Sequence, residues 1–177
     1  MTDALTTVTD PAYLAGLATD DIDEIRAKRQ ECQALENSLS YVRRLIHGRL
    51  DIVRSELARR RAGDEPADLA ALIDRLPELL AEGSRSDTLP RPPQDFAPDP
   101  DAEQLAAEID AEVPASRLGE LPHLDLDEVA SLGEALAVHE QRISAGRTAL
   151  HGVIDSLSEE IIRRYQAGDA TVESLLG

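Results

Sequence analysis

Two sets of polar residues in this sequence have the same composition and the same spacing. Each set contains, in order, a Glu, a Ser, an Arg, a His and an Asp, separated by four, three, four and four positions. In a helix, with about 100° per residue, all five side chains therefore lie in one stripe roughly 22 Å long. The first stripe consists of Glu36, Ser40, Arg43, His47 and Asp51, and the second of Glu140, Ser144, Arg147, His151 and Asp155.

Each stripe has the chemistry of a nucleotide-binding surface. The guanidinium of Arg presents a fork of donors that fits phosphate oxygens or the O6 and N7 edge of guanine. Asp or Glu can accept hydrogen bonds from N1 and N2 of guanine, and Ser and His suit phosphate or ribose oxygens. Residues 36–60 carry six Arg against three acidic residues, a local balance of +3 in an acidic chain, which favours an anionic ligand.

The stripes belong to a longer internal repeat. With a constant offset of 104, residues 21–60 match residues 125–164 at 12 of 40 positions without a gap. Composition alone would not hold one register over that length, so the sequence indicates a duplicated helix. A twofold pair of stripes would suit a twofold ligand.

Both copies have the pattern of a long coiled-coil helix. One begins at the capping sequence 21–24 and ends at Gly63, and the other begins at 125–128 and ends at Gly168. Apolar residues recur at steps of three and four, which is typical of a heptad seam, and the stripe borders this seam. The predicted seam residues are Leu35, Leu39, Val42, Ile46, Leu50, Val53 and Leu57 in the first copy and Ile143, Leu150, Ile154, Leu157 and Ile161 in the second.

The expected fold is all-α, with a long antiparallel two-helix coiled-coil hairpin, short accessory helices and a Pro-rich acidic connection. Parallel pairing stays open, because the connection is long enough to run back along the hairpin. Short helices are expected at 66–82 and 102–112, with Pro-rich chain at 84–101 between them. The expected segments are a flexible N-terminal segment at 1–20, a coiled-coil helix at 21–63, accessory helices and acidic linker at 64–124, a second coiled-coil helix at 125–168 and a tail at 169–177.

Composition argues against several classes of function. With four aromatic residues and one cysteine among 177 residues, the chain lacks the side chains of a small-molecule pocket, a disulfide framework or a cysteine zinc site. A formal net charge of −17 argues against direct DNA binding. The sequence has no long apolar run or signal peptide, so a cytoplasmic protein without a membrane segment is expected. No nucleophile and base combine with an oxyanion site, so an enzyme is not expected.

The duplicated pattern E-x3-S-x2-R-x3-H-x3-D resembles the E-x3-S-x2-R-x3-Q-x3-D signature of RsiG, the cyclic-di-GMP-dependent anti-sigma factor family of actinobacteria. The resemblance covers residues 22–62 and 126–167. It implies that the ten stripe residues bind a dimer of cyclic di-GMP. It also implies that the nucleotide-bound protein sequesters a sporulation- or motility-type sigma factor from RNA polymerase. His replaces the Gln of the signature in both copies and adds a titratable group.

Two other interpretations stay open. A coiled-coil adaptor with solvated polar flanks needs no small ligand. The second interpretation is a zinc-binding helical hairpin. The pairs His47 with Asp51 and His151 with Asp155 have the i,i+4 spacing that places two metal ligands on one helical face.

The remaining Glu and His residues have less defined roles. Glu36 and Glu140 suit ordinary pairing along their own helix and equally suit positioning of the Arg residues. His123 and His139 fall outside the stripes and are expected to be incidental surface residues.

Overall fold

The computed structural model describes residues 3–63 and 100–168 of the chain. Within these ranges every regular element is helical. Short 3-10 turns at Pro11–Leu14 and Leu121–His123 accompany the α-helices. The α-helices of the described ranges are α1 (Asp3–Thr9), α2 (Ile22–Arg61), α3 (Pro100–Glu112), α4 (Ser116–Glu120) and α5 (Leu126–Ala167).

The predicted capping boxes begin both long helices. Asp21 Oδ1 accepts a hydrogen bond from the backbone N–H of Glu24 at 2.8 Å, and Glu24 Oε2 accepts one from the backbone N–H of Asp21 at 2.8 Å. Asp125 and Glu128 form the same reciprocal pair, also at 2.8 Å in both directions. The side chains therefore satisfy backbone donors that the first turn of α2 and of α5 leaves without a helical partner.

Both long helices end before a glycine with a left-handed backbone. The φ angle is 82° at Gly63 and 79° at Gly168. Glycine adopts this conformation without the steric cost that a Cβ atom imposes, and it commonly follows the last helical residue. The helix ends predicted at these two glycines are confirmed.

The chain divides into two compact units, and each contains part of α2 and part of α5. The first unit comprises Met1–Ser40 and Ile143–Gly177, and the second comprises Tyr41–Arg142. The first therefore includes α1, and the second includes α3 and α4.

Within each unit the two long helices run antiparallel. In the first unit Arg26, near the start of α2, donates a hydrogen bond to the hydroxyl of Tyr165, near the end of α5. In the second unit Arg60, near the end of α2, donates to the carbonyl of Leu124, just before α5. The prediction of an all-α fold with two long antiparallel helices is confirmed, and the parallel alternative is wrong.

The predicted seam supplies much of the core of each unit. Leu57 and Ile154 are only partly buried, and Val153 beside Ile154 is buried instead. Burying one such side chain stabilises the fold by about 1.5 to 3 kcal/mol. The buried seam residues are Leu35, Leu39, Ile143, Leu150, Leu157 and Ile161 in the first unit and Val42, Ile46, Leu50 and Val53 in the second.

No helix in the described ranges is both long enough and apolar enough to cross a membrane.

The N-terminal segment is folded where the structure describes it. The expectation of a flexible segment at 1–20 is wrong for residues 3–20, because α1 packs in the first unit through Leu5 and Val8, which are 2% and 1% exposed. Leu5 lies against Gly146, where an added Cβ would be 2.8 Å from Leu5 Cδ2. A seven-residue helix has little stability of its own, so the periodicity of α1 alone does not reveal it.

The turn that follows α1 is also attached to the long helices. The Tyr13 hydroxyl donates a hydrogen bond to Glu31 Oε2 of α2 at 2.8 Å. The guanidinium of Arg164, on α5, donates to the carbonyl of Leu17 at 2.8 Å. These bonds attach the turn to both long helices of the first unit.

α3 confirms the short helix expected at 102–112. It begins two residues earlier, so residues 100–101 are helical and are not part of the Pro-rich connection. The helix expected at 66–82 and the rest of the connection at 84–99 lie outside the described residues. The buried residues of α3 are Ala102, Leu105 and Ile109.

Replacing Gly152 by Ala should stabilise the fold, whereas Gly146→Ala should stabilise it less or destabilise it. A Cβ added at Gly152 meets nothing within 4 Å, so the variant should gain the helix propensity of Ala, about 1 kcal/mol. At Gly146 the new Cβ requires Leu5 to move. Urea unfolding of both variants measures the difference, and equal stabilisation would contradict the packing of α1 against α5.

Candidate functional site

In the first unit, Glu36 is the centre of a polar cluster that joins α2 and α5. Arg147 donates hydrogen bonds to Glu36 Oε1 from Nε at 3.1 Å and from Nη2 at 2.7 Å. Ser40 Oγ donates to the same oxygen at 2.8 Å, and His151 Nε2 lies 3.3 Å from it. We call these four residues the Glu36 cluster.

In the second unit, Glu140 has the equivalent position. Arg43 Nε donates to Glu140 Oε1 at 3.1 Å, and His47 Nε2 lies 3.1 Å from the same oxygen. We call these three residues the Glu140 cluster. In both clusters, the Glu of one long helix contacts the Arg and the His of the opposite helix.

The buried seam places these polar side chains at its border. Ser40, His47 and His151 directly follow Leu39, Ile46 and Leu150, which are fully buried or nearly so. Since consecutive residues of a helix point about 100° apart, the stripe side chains emerge beside the core and stay accessible to solvent. His47 and His151 are the most exposed members, with side chains 45% and 55% exposed.

The carboxyl group of Glu36 is held in its ionised form. Partial burial alone would raise its pKa, but the hydrogen bonds from Arg147, Ser40 and His151 outweigh burial, and the pKa lies below its usual value. The cluster therefore contains a carboxylate and a guanidinium that neutralise each other at neutral pH.

The other predicted site residues lie along the same helices. Ser144 is partly buried in the first unit. Asp155, in the first unit, is exposed, and Asp51, in the second, is partly buried. Neither Asp forms a hydrogen bond or ion pair with the residues that the structure describes, so both carboxylates are accessible as acceptors.

The clusters decide one question that the sequence leaves open. In the sequence, Glu36 and Glu140 are equally compatible with pairing along their own helix and with positioning of the Arg residues. Glu36 contacts Ser40 on its own helix, but both Glu residues form their ion pairs with residues of the opposite helix, Arg147 and Arg43. The role of the ten stripe residues in nucleotide binding stays a prediction.

A second repeated cluster, to which the sequence patterns assign no role, lies near the end of α2. Glu56 accepts hydrogen bonds from Arg59 at 2.6 and 2.9 Å and from Arg60 at 2.6 Å. Arg60 also donates to the carbonyls of Leu121 and Leu124, which precede α5. We call this arrangement the Glu56 clasp.

The first unit has a matching Glu160 clasp. Glu160 accepts from Arg163 at 2.6 and 2.8 Å and from Arg164 at 2.8 Å, and Arg164 donates to the carbonyls of Leu17 and Asp20. The hydrogen bonds from Arg163 and Arg164 lower the pKa of Glu160 to about 2. The clasp residues are among the identities of the repeat and the carbonyl partners also differ by 104, so the repeat is the signal that identifies these clasps.

His139 is not a surface residue, and the expectation for it is wrong. Its side chain occupies a seam position of α5, the equivalent of Leu35, and the residue is 3% exposed. Its Nε2 lies 2.8 Å from Glu112 Oε2 of α3, whereas Nδ1 is buried without a hydrogen-bond partner among the described residues. His123 is exposed, as expected. Heptad spacing between Leu136 and Ile143 is the signal that places His139 inside.

The described residues offer no cluster for the zinc alternative. Within 3–63 and 100–168, no three His, Cys, Asp or Glu side chains gather closely enough to hold a metal ion. The histidines of the two stripes each contact a Glu that is also paired with an Arg. That arrangement favours recognition of an anion or a base over coordination of a cation.

Comparison with known proteins identifies a family. A family model described as RsiG-like matches residues 11–80 and 115–177, about three quarters of the chain. Both matched ranges contain one complete stripe. No curated protein matches the chain.

Proposed function

This chain belongs to the RsiG-like family, and we propose on that premise that it binds cyclic di-GMP through its two stripes and in that state holds a sigma factor away from RNA polymerase. Membership of the family indicates an anti-sigma-factor-type role, with a sigma factor as partner. The nucleotide, its dimeric form and a sporulation- or motility-type sigma factor are parts of the proposal.

The observation that carries this proposal is the repeated cluster of Glu, Arg and His across the two long helices. In each unit an Arg lies at the border of the seam with its guanidinium fixed by a carboxylate of the opposite helix. An arginine fork held in place is suited to the O6 and N7 edge of guanine or to a phosphate. The duplicated motif supplies the same groups twice, as a ligand with two guanines requires.

The accessible carboxylates complete the recognition of guanine. Asp51 and Asp155 have no partner among the described residues, so each can accept hydrogen bonds from N1 and N2 of the base. Ser40, His47 and His151 can donate to phosphate or ribose oxygens in place of the Glu oxygens that they contact in this structure. The local balance of +3 over residues 36–60 favours the anionic ligand in an otherwise acidic chain.

The nucleotide must favour the sigma-bound form by differential affinity. A ligand shifts a binding equilibrium only if it binds one state more tightly than the other. Cyclic di-GMP would do so by contacting polar groups of both long helices and holding the helices in the arrangement that binds the sigma factor. By linkage, the sigma factor should then increase the affinity of the protein for the nucleotide.

Calorimetry of the purified chain with cyclic di-GMP, alone and with a candidate sigma factor, tests the proposal. We expect selective binding, with GMP and cyclic di-AMP giving much weaker signals because they lack the second base or the guanine edge. Tighter nucleotide binding in the presence of the sigma factor would demonstrate the expected linkage. Absence of binding in both settings would favour the coiled-coil adaptor without a small ligand.

A further inference from the structure

One donor edge of Arg147 that could bind guanine or phosphate, the edge formed by Nε and Nη2, is already in use within the protein. Both Nε and Nη2 of Arg147 donate to Glu36 Oε1, and Ser40 and His151 contact the same oxygen. A guanidinium edge that forms two hydrogen bonds to a carboxylate cannot present those donors to O6 and N7 of guanine at the same time. In the second unit, Nε of Arg43 is bound to Glu140 in the same way.

We propose that Glu36 and Glu140 are internal competitors of the nucleotide, and that each carboxylate must release the Nε edge of its Arg before that edge can bind guanine or phosphate. The inference rests on the proposed function and adds a regulatory role within the same site. The two carboxylates would set the nucleotide concentration at which the protein responds. The ion pair holds the guanidinium of the Arg at the site and also lowers the affinity of that guanidinium for the anionic nucleotide.

The two competitors should differ in strength. The pair in the first unit is the less exposed, with side chains 16% exposed for Glu36 and 23% for Arg147. In the second unit the corresponding values are 22% for Glu140 and 37% for Arg43. Because exposure to water weakens an ion pair, Glu36 should restrain its Arg more strongly than Glu140 does.

A positioning role predicts the opposite result. If Glu36 only orients Arg147 for the ligand, removing its charge should leave the guanidinium poorly placed and weaken nucleotide binding. If Glu36 competes with the ligand, the same change should strengthen binding. Glu36→Gln distinguishes these roles because it removes the charge and preserves the size of the side chain.

We therefore expect Glu36→Gln to tighten cyclic di-GMP binding by about three- to tenfold, where tenfold corresponds to about 1.4 kcal/mol. Glu140→Gln should act in the same direction with a smaller effect. Glu159→Gln is the matched control, because it removes one negative charge from an exposed position of α5 outside the stripe. Its affinity should stay close to that of the wild type, which separates the ion pair from a general change in net charge.

A second measurement needs no nucleotide. In ¹⁵N-labelled protein, Glu36→Gln should shift the Nε–H resonance of Arg147, and Glu140→Gln should shift that of Arg43. If these resonances did not respond, or if the wild type bound cyclic di-GMP and both Gln variants bound it no more tightly, the competitor role would be overturned. If the wild type itself did not bind, the proposed function would fail as well, so the two failures are distinguishable.

Discussion

Arg147→Ala should weaken the binding of cyclic di-GMP by about 10- to 100-fold, because charge-assisted hydrogen bonds to a base edge or phosphate are worth about 1.5 to 3 kcal/mol. The substitution also leaves Glu36 without its guanidinium partner. That carboxylate would then repel the phosphates of the nucleotide. Both effects act in the same direction, so this substitution should have the largest effect on binding of any in the first unit.

The control is Arg163→Ala, which removes a positive charge from the same helix. Arg163 is paired with Glu160, and its side chain is 60% exposed and outside the stripe. Calorimetry should give an affinity near that of the wild type for this variant. Arg147→Lys keeps the charge but loses the fork and should bind weakly, like the Ala variant. Unchanged affinity for Arg147→Ala would show that the stripe does not bind the nucleotide.

Arg43→Ala tests the same assignment in the second unit. Arg43 has the same relation to Glu140 as Arg147 has to Glu36. A ligand with two guanines should therefore lose affinity in both single variants. A loss confined to one of them would indicate that one stripe alone recognises the nucleotide.

The sequence predicted the long helices and the stripes well because each depends on local periodicity. Seam residues recur every three or four positions, and caps and glycines mark the ends, so the residues of α2 and α5 that face the core follow from spacing alone. The repeat then identifies equivalent residues. Residues such as Leu39 and Leu150 need no knowledge of the tertiary structure to be placed in the core.

The ion pair between Glu and Arg in each cluster depends on tertiary structure. The sequence leaves this pairing as one of two possibilities. Whether Glu36 pairs along its own helix or across to Arg147 depends on the register between α2 and α5. A shift of one turn, about 5.4 Å, would separate these side chains. Heptad spacing predicts that a seam exists but does not determine that register.

The predictions for the N-terminal segment and for His139 are wrong, and both errors have the same physical origin. α1 is too short to be recognised from its own pattern, and it is ordered by the packing of Leu5 against Gly146. His139 is polar and lies outside the stripes, which suggests a surface position, although its position in the heptad is internal and Glu112 of α3 supplies a partner. In both cases a contact from a distant part of the chain outweighs the local preference.

Glu56→Ala should cause the largest loss of stability among the polar substitutions in the second unit, about 3 kcal/mol or more. The side chain of Glu56 is 2% exposed, and those of its partners Arg59 and Arg60 are 8% and 14% exposed. Removing the carboxylate leaves two guanidinium groups in a poorly solvated position, and breaking a buried ion pair in this way typically costs about 3 to 5 kcal/mol. Urea unfolding at neutral pH measures the change.

Glu160→Ala is the matched comparison, since the clasp of the first unit has the same connectivity. The side chain of Arg163 is 60% exposed, so water can solvate it after the carboxylate is lost. The destabilisation should therefore be smaller than for Glu56→Ala. Equal effects would show that desolvation of the arginines does not determine the stability of the clasps.

The Glu56 clasp should also make stability depend on pH. Burial would raise the pKa of Glu56, but the hydrogen bonds from Arg59 and Arg60 outweigh it and hold the pKa below its ordinary value. A carboxyl group with a lowered pKa in the folded state stabilises the fold above its unfolded pKa of about 4.3, and this stabilisation is lost as the pH falls further. Glu56→Gln cannot titrate, so its stability should fall less steeply with acidification than that of the wild type. Parallel acid profiles for the two proteins would contradict an ionised Glu56 bound to Arg59 and Arg60 in the folded state.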